Sequence, residues 1–404
     1  MRKSAWAVGA AVLSVGCASV AGATTPPAGS TAAGGTTATA AVDLCSAAAA
    51  GPISIVHLTD VKGESPTAID DFFNGSQMAV KEINDKCGKE VVTLERIPTD
   101  FSAEAFEAKV LEAQEKKPTV IIGQGSSSQM SKNSLVTEGG IPTLWPVGTA
   151  SALQGGENYS ELSWMLRVVN DTQGQVWGKY VVDAGFKKAW LECVTTQLGV
   201  SGCGAAEPIL KDAGVEVIGR ADSATDATDF TNSVTTIKDK GGDVVVLAQF
   251  PRPTLAFAKA VDDNGLSATV KLVGSTSTEL IYQALSPTAQ SAMVALADCN
   301  PLEDAPDTAA AYLAAYQKGM TSLAAVTYDG VYLTVDAVAR MGSTAPAKVA
   351  EGIASTHWDG VCQTYSDSGS HALAHHMVVT SFGGGVIKTE KSYDLDADGK
   401  ALAG

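Results

Sequence analysis

From Ile53 onward the chain alternates short runs of aliphatic and β-branched residues with amphipathic stretches, and that alternation leaves few folds open. ISIVHL (53–58), VVTLERI (91–97), TVIIG (119–123) and IPTLWPV (141–147) are of strand length and composition. Parallel neighbours buried on both faces need a crossover between them, and the intervening segments have helical spacing. Ile69, Phe72, Phe73, Ala79, Val80 and Ile83 form one apolar stripe, after a start marked by Ser65 as cap and Pro66 at the first helical position. Residues 102–117 and 126–138 read as the next two helices. The pattern predicts right-handed βαβ units in a doubly wound parallel sheet.

A second series starts near Asp171, with helix 171–185 and strands KKAWLECV (187–194), VEVIG (215–219), DVVVLAQF (243–250), VKLVGS (270–275) and MVALADC (293–299). Helical spacing then returns in 309–320 and 326–342, where long helices complete the first lobe. The expected fold class is α/β: two Rossmann-like lobes with parallel central sheets, joined by a hinge that the chain crosses three times. The first lobe comprises 51–168 and 300–360, the second 169–299 and 361–404. At 404 residues and 45% hydrophobic content, the chain can bury cores for both.

The N-terminus has a basic start and an apolar run from Ala5 to Gly16, too short to span a bilayer, so residues 1–23 read as an export signal. Two processing sites compete there. Ala21-Gly22-Ala23 suits ordinary cleavage, whereas Leu13 to Cys17 resembles a lipobox whose Cys17 becomes acylated, with Ser14 where Leu is usual. Uncharged, aperiodic sequence follows over 24–41, and 24–50 reads as a flexible tether. These features place the protein outside the cytoplasm, at the outer face of the cytoplasmic membrane as a lipoprotein or in the periplasm or cell-wall space. A formal net charge of −16 disfavours nucleic acid and anionic lipid as partners. Cys45, Cys87, Cys193, Cys203, Cys299 and Cys362 remain beyond Cys17, an even number in an oxidising compartment, which predicts disulfides and leaves their connectivity open.

Enzyme signals fail on inspection. GQGSSSQ lacks the glycine that a nucleophile elbow needs two residues after its serine, and no phosphate loop or G-x-G-x-x-G is present. HALAHH (371–376) precedes a strand-like run, against a helical metal site, and DLDADG (394–399) has no room for the bidentate acid of a calcium loop. No cofactor or metal is expected.

FFNGSQMAVKEIND (72–85), VIIGQGSSSQM (120–130), IPTLWPVGTAS (141–151), MLRVVNDTQGQVWGKYV (165–181), 227–250 and TYDGVYLTVDAVARMG (327–342), in this order and spacing, resemble the type I periplasmic binding proteins of the leucine/isoleucine/valine-binding branch. The resemblance implies a solute-binding protein of an ABC importer, without catalysis, that closes its two lobes on a small solute and presents it to a membrane permease. It also implies a monomer that contacts the membrane only through a lipid anchor.

In that family the serine-rich turn after the third strand holds the ligand carboxylate, which carries over to Ser127 with Ser126 and Ser128 beside it. The turn after the fourth strand supplies a second clamp, here Gly148 and Thr149. A helix cap and a turn residue are the plainer alternatives. The acid that holds an ammonium in amino-acid-binding relatives is replaced by Thr276 and its serine neighbours, with Glu279 three residues on. Phe250 remains as an aromatic contact, Arg252 after it has no counterpart, and Trp145 is expected near the solute. These residues suggest a small amino acid, or a related carboxylate or amide with an apolar part. The resemblance further implies the pairs Cys45–Cys87, Cys193–Cys203 and Cys299–Cys362. A sensor for a membrane signalling partner and an exported hydrolase on the same fold are the alternatives.

Overall fold

A computed structural model describes residues 43–60, 66–99, 103–123, 127–275, 281–282, 284–383 and 385–396. The first lobe is built on a five-stranded sheet, β1 (Ile53–Asp60), β2 (Val92–Thr99), β3 (Val120–Ile122), β4 (Thr143–Trp145) and β5 (Ser163–Met165), in the order β2-β1-β3-β4-β5. Every pairing in it is parallel. Successive side chains of a strand face opposite ways, so Ile53 and Ile55 of β1 pack under the helices Pro66–Cys87 and Ser322–Met341. Val56 and Leu58 pack with Phe106 and Val110 of the helix Ala103–Glu115.

The helix Ser322–Met341 joins this lobe although it lies far along the chain, because small residues admit it. A Cβ on Gly75 would stand 2.0 Å from the Ala324 carbonyl oxygen, and Thr327 Oγ1 donates to the Phe72 carbonyl at 2.6 Å.

The second lobe has a seven-stranded sheet of β6 (Lys188–Val194), β7 (Glu216–Ser223), β8 (Val244–Ala248), β9 (Lys271–Gly274), β10 (Met293–Ala297), β13 (His376–Gly383) and β14 (Val386–Asp394). The remaining strands, β11 (His357–Asp359) and β12 (Thr364–Ser366), form a separate hairpin. The large sheet has the order β14-β13-β10-β9-β8-β6-β7 and is mixed, since β13 and β14 pair antiparallel at one side. Val244 to Ala248 are buried throughout, as a central parallel strand requires. Helices Asn170–Asp183 and Gln197–Asp212 cover one face, and helices Thr231–Lys240, Pro251–Asp263 and Pro287–Ala292 the other.

Core membership locates the three crossings. Leu166 packs in the first lobe and Val168 in the second, Leu296 in the second and Cys299 in the first, Leu373 in the first and Ala374 in the second. The last crossing is therefore later than the expected boundary at 360. Cys362 and Tyr365 stay with the first lobe because Asp329, fully buried, accepts from the Val361 and Cys362 amides at 2.8 Å each and from the Tyr365 hydroxyl at 3.0 Å.

Three disulfides join the described cysteines in the expected pairs, Cys45–Cys87, Cys193–Cys203 and Cys299–Cys362. The first of them corrects the extent of the tether. Leu44–Ala49 is a 3-10 helix with Ala47 in the core, so the region expected to be flexible up to residue 50 is structured from Asp43. Cys17 and the rest of the export segment lie outside the described residues. The sequence pattern also missed β5, which is only three residues long, and read as one helix what the structure divides into Ser127–Met130 and Ser134–Gly139.

Two buried groups give opposite pH dependences. His57 is fully buried on β1 with both ring nitrogens unpartnered, and desolvation, helped by the Arg96 charge, holds its pKa down to about 3 from the usual 6.5. Between those values the unfolded chain binds the proton and the folded chain does not, so stability falls as pH drops below 6.5. Burial pushes Asp329 up to about 7 against its three donors, so its contribution is present below the unfolded carboxylate range and lost as pH rises through about 7.

His57→Leu is predicted to flatten the acid limb, losing about 1.4 kcal/mol less stability per pH unit than the native chain between pH 6 and 4, read by urea denaturation. An unchanged slope would show that His57 is solvated or paired. Asp329→Ala leaves three donors without their acceptor, two of them buried, and should cost about 3 kcal/mol in the same assay at fixed pH.

Candidate functional site

In a parallel sheet the carboxyl ends of all strands lie on one edge, and ligands of such sheets bind outside that edge. Here the chain leaves the first lobe directly after β5 and leaves the second directly after β10, so both crossings lie at the carboxyl edges. The two edges therefore border a common cleft floored by the crossings. The helical turn Ser127–Met130 of the first lobe contacts the helix Gln197–Asp212 of the second across it.

On the first-lobe side, β3 runs into Gly123, where a Cβ would fall 1.8 Å from the Trp145 ring. This close approach carries the chain into the serine-rich turn. Ser126 lies outside the described residues, whereas Ser127 and Ser128 open the short helix on the cleft edge. A single turn has little macrodipole, so the assistance expected from a long helix is reduced.

The Asn133 side chain, three residues after this turn, links β4 to β5 and the segment before it. Its Nδ2 donates to Ser163 Oγ at 2.8 Å and to the Asn158 carbonyl at 2.9 Å, and its Oδ1 accepts from Trp145 Nε1 at 2.9 Å. Trp145 is therefore a core residue and not the solute neighbour expected from the sequence. After β4, Gly148 is buried where a Cβ would meet Met165 Sδ at 2.3 Å, and Thr149 Oγ1 shares a hydrogen bond with Ser151 Oγ at 2.8 Å. The structure thus sets the Ser127 and Thr149 segments side by side, after the adjacent strands β3 and β4.

The second-lobe edge holds polar groups that the sequence did not single out. Thr196 caps the helix Gln197–Asp212 by backbone geometry, yet its Oγ1 is buried without a partner. The Cys193–Cys203 disulfide ties the strand before this turn to the helix after it. Behind the edge, Glu192 accepts from Trp190 Nε1 at 2.9 Å and from Ser223 Oγ, and Ser223 Oγ accepts from Gln249 Nε2 at 3.2 Å. Gln249 Oε1 has no partner. Burial raises the Glu192 pKa against these donors. Such residues were hidden because KKAWLECV and DVVVLAQF read as plain strands.

Phe250 is half-buried at the cap of the helix Pro251–Asp263, at the carboxyl end of β8, and Arg252 is exposed. Ser275 Oγ donates to the Gln249 carbonyl at 2.9 Å. Thr276 and Glu279 lie outside the described residues.

At the floor, Arg167 of the first crossing and Asp298 of the second form an ion pair, Nε to Oδ2 at 2.6 Å, with both side chains buried. Arg167 Nη1 also donates to the Pro146 carbonyl at 3.3 Å, on the segment that carries Gly148 and Thr149. Burial raises the Asp298 carboxyl despite Arg167, and its Oδ1 has no partner.

The histidines go elsewhere. His371 stacks on Trp164 with centroids 4.9 Å apart, His375 Nε2 hydrogen-bonds the Ser366 carbonyl at 2.8 Å, and His376 pairs with Asp394 at 3.0 Å. No metal-binding group of His, Cys, Asp and Glu is found among the described residues. No described helix is long and apolar enough to cross a membrane.

Among curated proteins no sequence matches this chain. Solved structures do match in fold. A solute-binding protein of an ABC transporter from R. palustris, in complex with benzoate, has a TM-score of 0.75 at 18% identity, covering 88% of this chain and 98% of that one. The branched-chain amino acid transporter substrate-binding protein LivJ from Streptococcus pneumoniae, in complex with isoleucine, has a TM-score of 0.73 at 18% identity over 87% of this chain and 99% of that one. A leucine-binding protein, LivK, from Thermotoga maritima gives 0.74 at 18% identity over 85% and 99%. The model of the family described as periplasmic binding protein matches residues 52–385, which covers both lobes and all three crossings. The chain belongs to the periplasmic binding protein family.

Proposed function

We propose that the protein is an extracytoplasmic solute-binding protein of an ABC importer, which encloses a small amino acid, or a related carboxylate or amide, between its lobes and delivers it to a membrane permease. The observation that carries this reading is the adjacency of the Ser127 turn and the Gly148-Thr149 turn at one cleft edge, facing the second-lobe helix Gln197–Asp212. Hydroxyls and first-turn amides there suit a carboxylate. Benzoate and isoleucine, bound by two proteins of similar fold, share a carboxylate on an apolar body.

Ser126, Ser127, Ser128, Gly148 and Thr149 form the first-lobe half of the site in this reading. Phe250 and the Thr276 to Glu279 segment form the second-lobe half. Three short crossings permit hinge closure, the general means by which two lobes trap a ligand. The cycle has no chemical step. Export and the lipid anchor at Cys17 hold the monomer near its permease.

Thermal denaturation against amino acids, small carboxylates and amides tests the reading, since a ligand bound only by the folded chain raises the melting temperature with the logarithm of its concentration. Ser127→Ala combined with Thr149→Ala should abolish the shift while leaving the unliganded melting temperature within a few degrees of native. A double variant that keeps native affinity would remove these residues from the site.

A further inference from the structure

Glu192, Ser223 and Gln249 form a line of hydrogen bonds across the carboxyl ends of three neighbouring strands. Ser223 is the last residue of β7, Glu192 lies two residues before the end of β6, and Gln249 follows β8 directly. Ser275, directly after β9, donates its hydroxyl to the Gln249 carbonyl at 2.9 Å. Gln249 also precedes Phe250, so the line ends on the second-lobe segments that the reading above gives to the solute.

The donors fix the direction of this line. An indole N–H can only donate, so Glu192 Oε2, which accepts from Trp190 Nε1 at 2.9 Å, stays an acceptor in either charge state. A proton on Glu192 therefore goes to Oε1, the oxygen that meets Ser223. While Glu192 is ionised, the one Ser223 hydrogen points to Oε1 and the Ser223 oxygen accepts from Gln249 Nε2 at 3.2 Å. Gln249 Oε1, buried, then has no partner among the described residues. Once Oε1 of Glu192 carries a proton it donates to Ser223, whose own hydrogen turns toward Gln249 and requires an acceptor there. Half a turn of the Gln249 amide brings in its Oε1, and no backbone has to move.

Burial holds the Glu192 carboxyl above its ordinary range against the Ser223, Trp190 and Ser233 donors. Asp222 of β7 adds a like charge and is itself paired with Arg220 at 2.7 Å. Ser233 comes from the helix Thr231–Lys240, while β8 and the helix Pro251–Asp263 bring apolar Leu247 and Phe257 into the core around Trp190.

We propose that Glu192 is a positioning residue for the solute site: its charge state, passed through Ser223, sets which end of the Gln249 amide is held, and so makes solute binding depend on pH. This rests on the solute-binding reading above and adds a control to it.

The test follows the Trp190 indole N–H and the Gln249 side-chain amide by NMR of tryptophan- and glutamine-labelled protein between about pH 4 and 8. Both signals should move with one midpoint in the native chain. Glu192→Gln must turn its oxygen to the indole and its amide to Ser223, which imitates the protonated carboxyl, so both signals should stay at their acid-side positions at every pH. Ser223→Ala should keep the indole titration and abolish that of Gln249, and Ser233→Ala should keep both. In calorimetry with L-isoleucine and with benzoate, affinity for the probe that binds should change at least about fivefold across the midpoint, the scale of one hydrogen bond, and Glu192→Gln should hold it at the acid-side value.

A native indole signal that stays flat, or a Gln249 response that survives in Ser223→Ala, would overturn the proposal. So would a probe affinity that stays constant across a midpoint shown by both signals. The NMR arm needs no solute. Silence across amino acids, carboxylates and amides would therefore overturn the solute-binding reading and the pH dependence resting on it, while two titrating signals would still establish the relay.

Discussion

The direction of the parallel strands is the constraint on which the rest depends. Parallel pairing forces each connection to return through a helix, and this collects every strand's carboxyl end on one edge. A chain that leaves each lobe from that edge, after β5 and after β10, must place its linkers between the two edges. The cleft, its floor and its walls follow from this one rule, before any side chain is considered.

Side chains then determine how firmly the floor is held. The Arg167–Asp298 pair joins the first two crossings, and the Cys299–Cys362 disulfide joins the second to the segment leading into the third. Asp329 gathers the Val361, Cys362 and Tyr365 donors onto the long helix of the first lobe. Hinge residues in such proteins need freedom to rotate, whereas their anchors need none. The bonds found here reach into the crossings themselves, since Arg167 carries the ion pair and the Leu373 amide donates to the Met165 carbonyl at 2.9 Å.

Much of this was legible in the chain because burial on both faces leaves a periodic mark. DVVVLAQF read as a strand, and the long helices after Cys299 as completing the first lobe. The serine-rich turn was legible because it follows a glycine at the end of a buried strand. Other features had no such mark. SWM is too short to show a period, and Asp298 in MVALADC looks like the polar end of a strand. Trp145 looked like a cleft aromatic until Asn133 claimed its indole N–H in the core. The third crossing was placed too early because the β11–β12 hairpin has strand character but packs with the helices of the first lobe.

By itself, the sequence determined the class of architecture and its two-lobed division, since local propensity and hydrophobic period act over short stretches. Only the tertiary structure decided which distant charges meet. Arg167 and Asp298 are separated by 131 positions, and nothing local distinguishes either from a surface residue. Their pairing depends on two strands ending at the same edge of different sheets, which becomes determinate only once the lobes have formed.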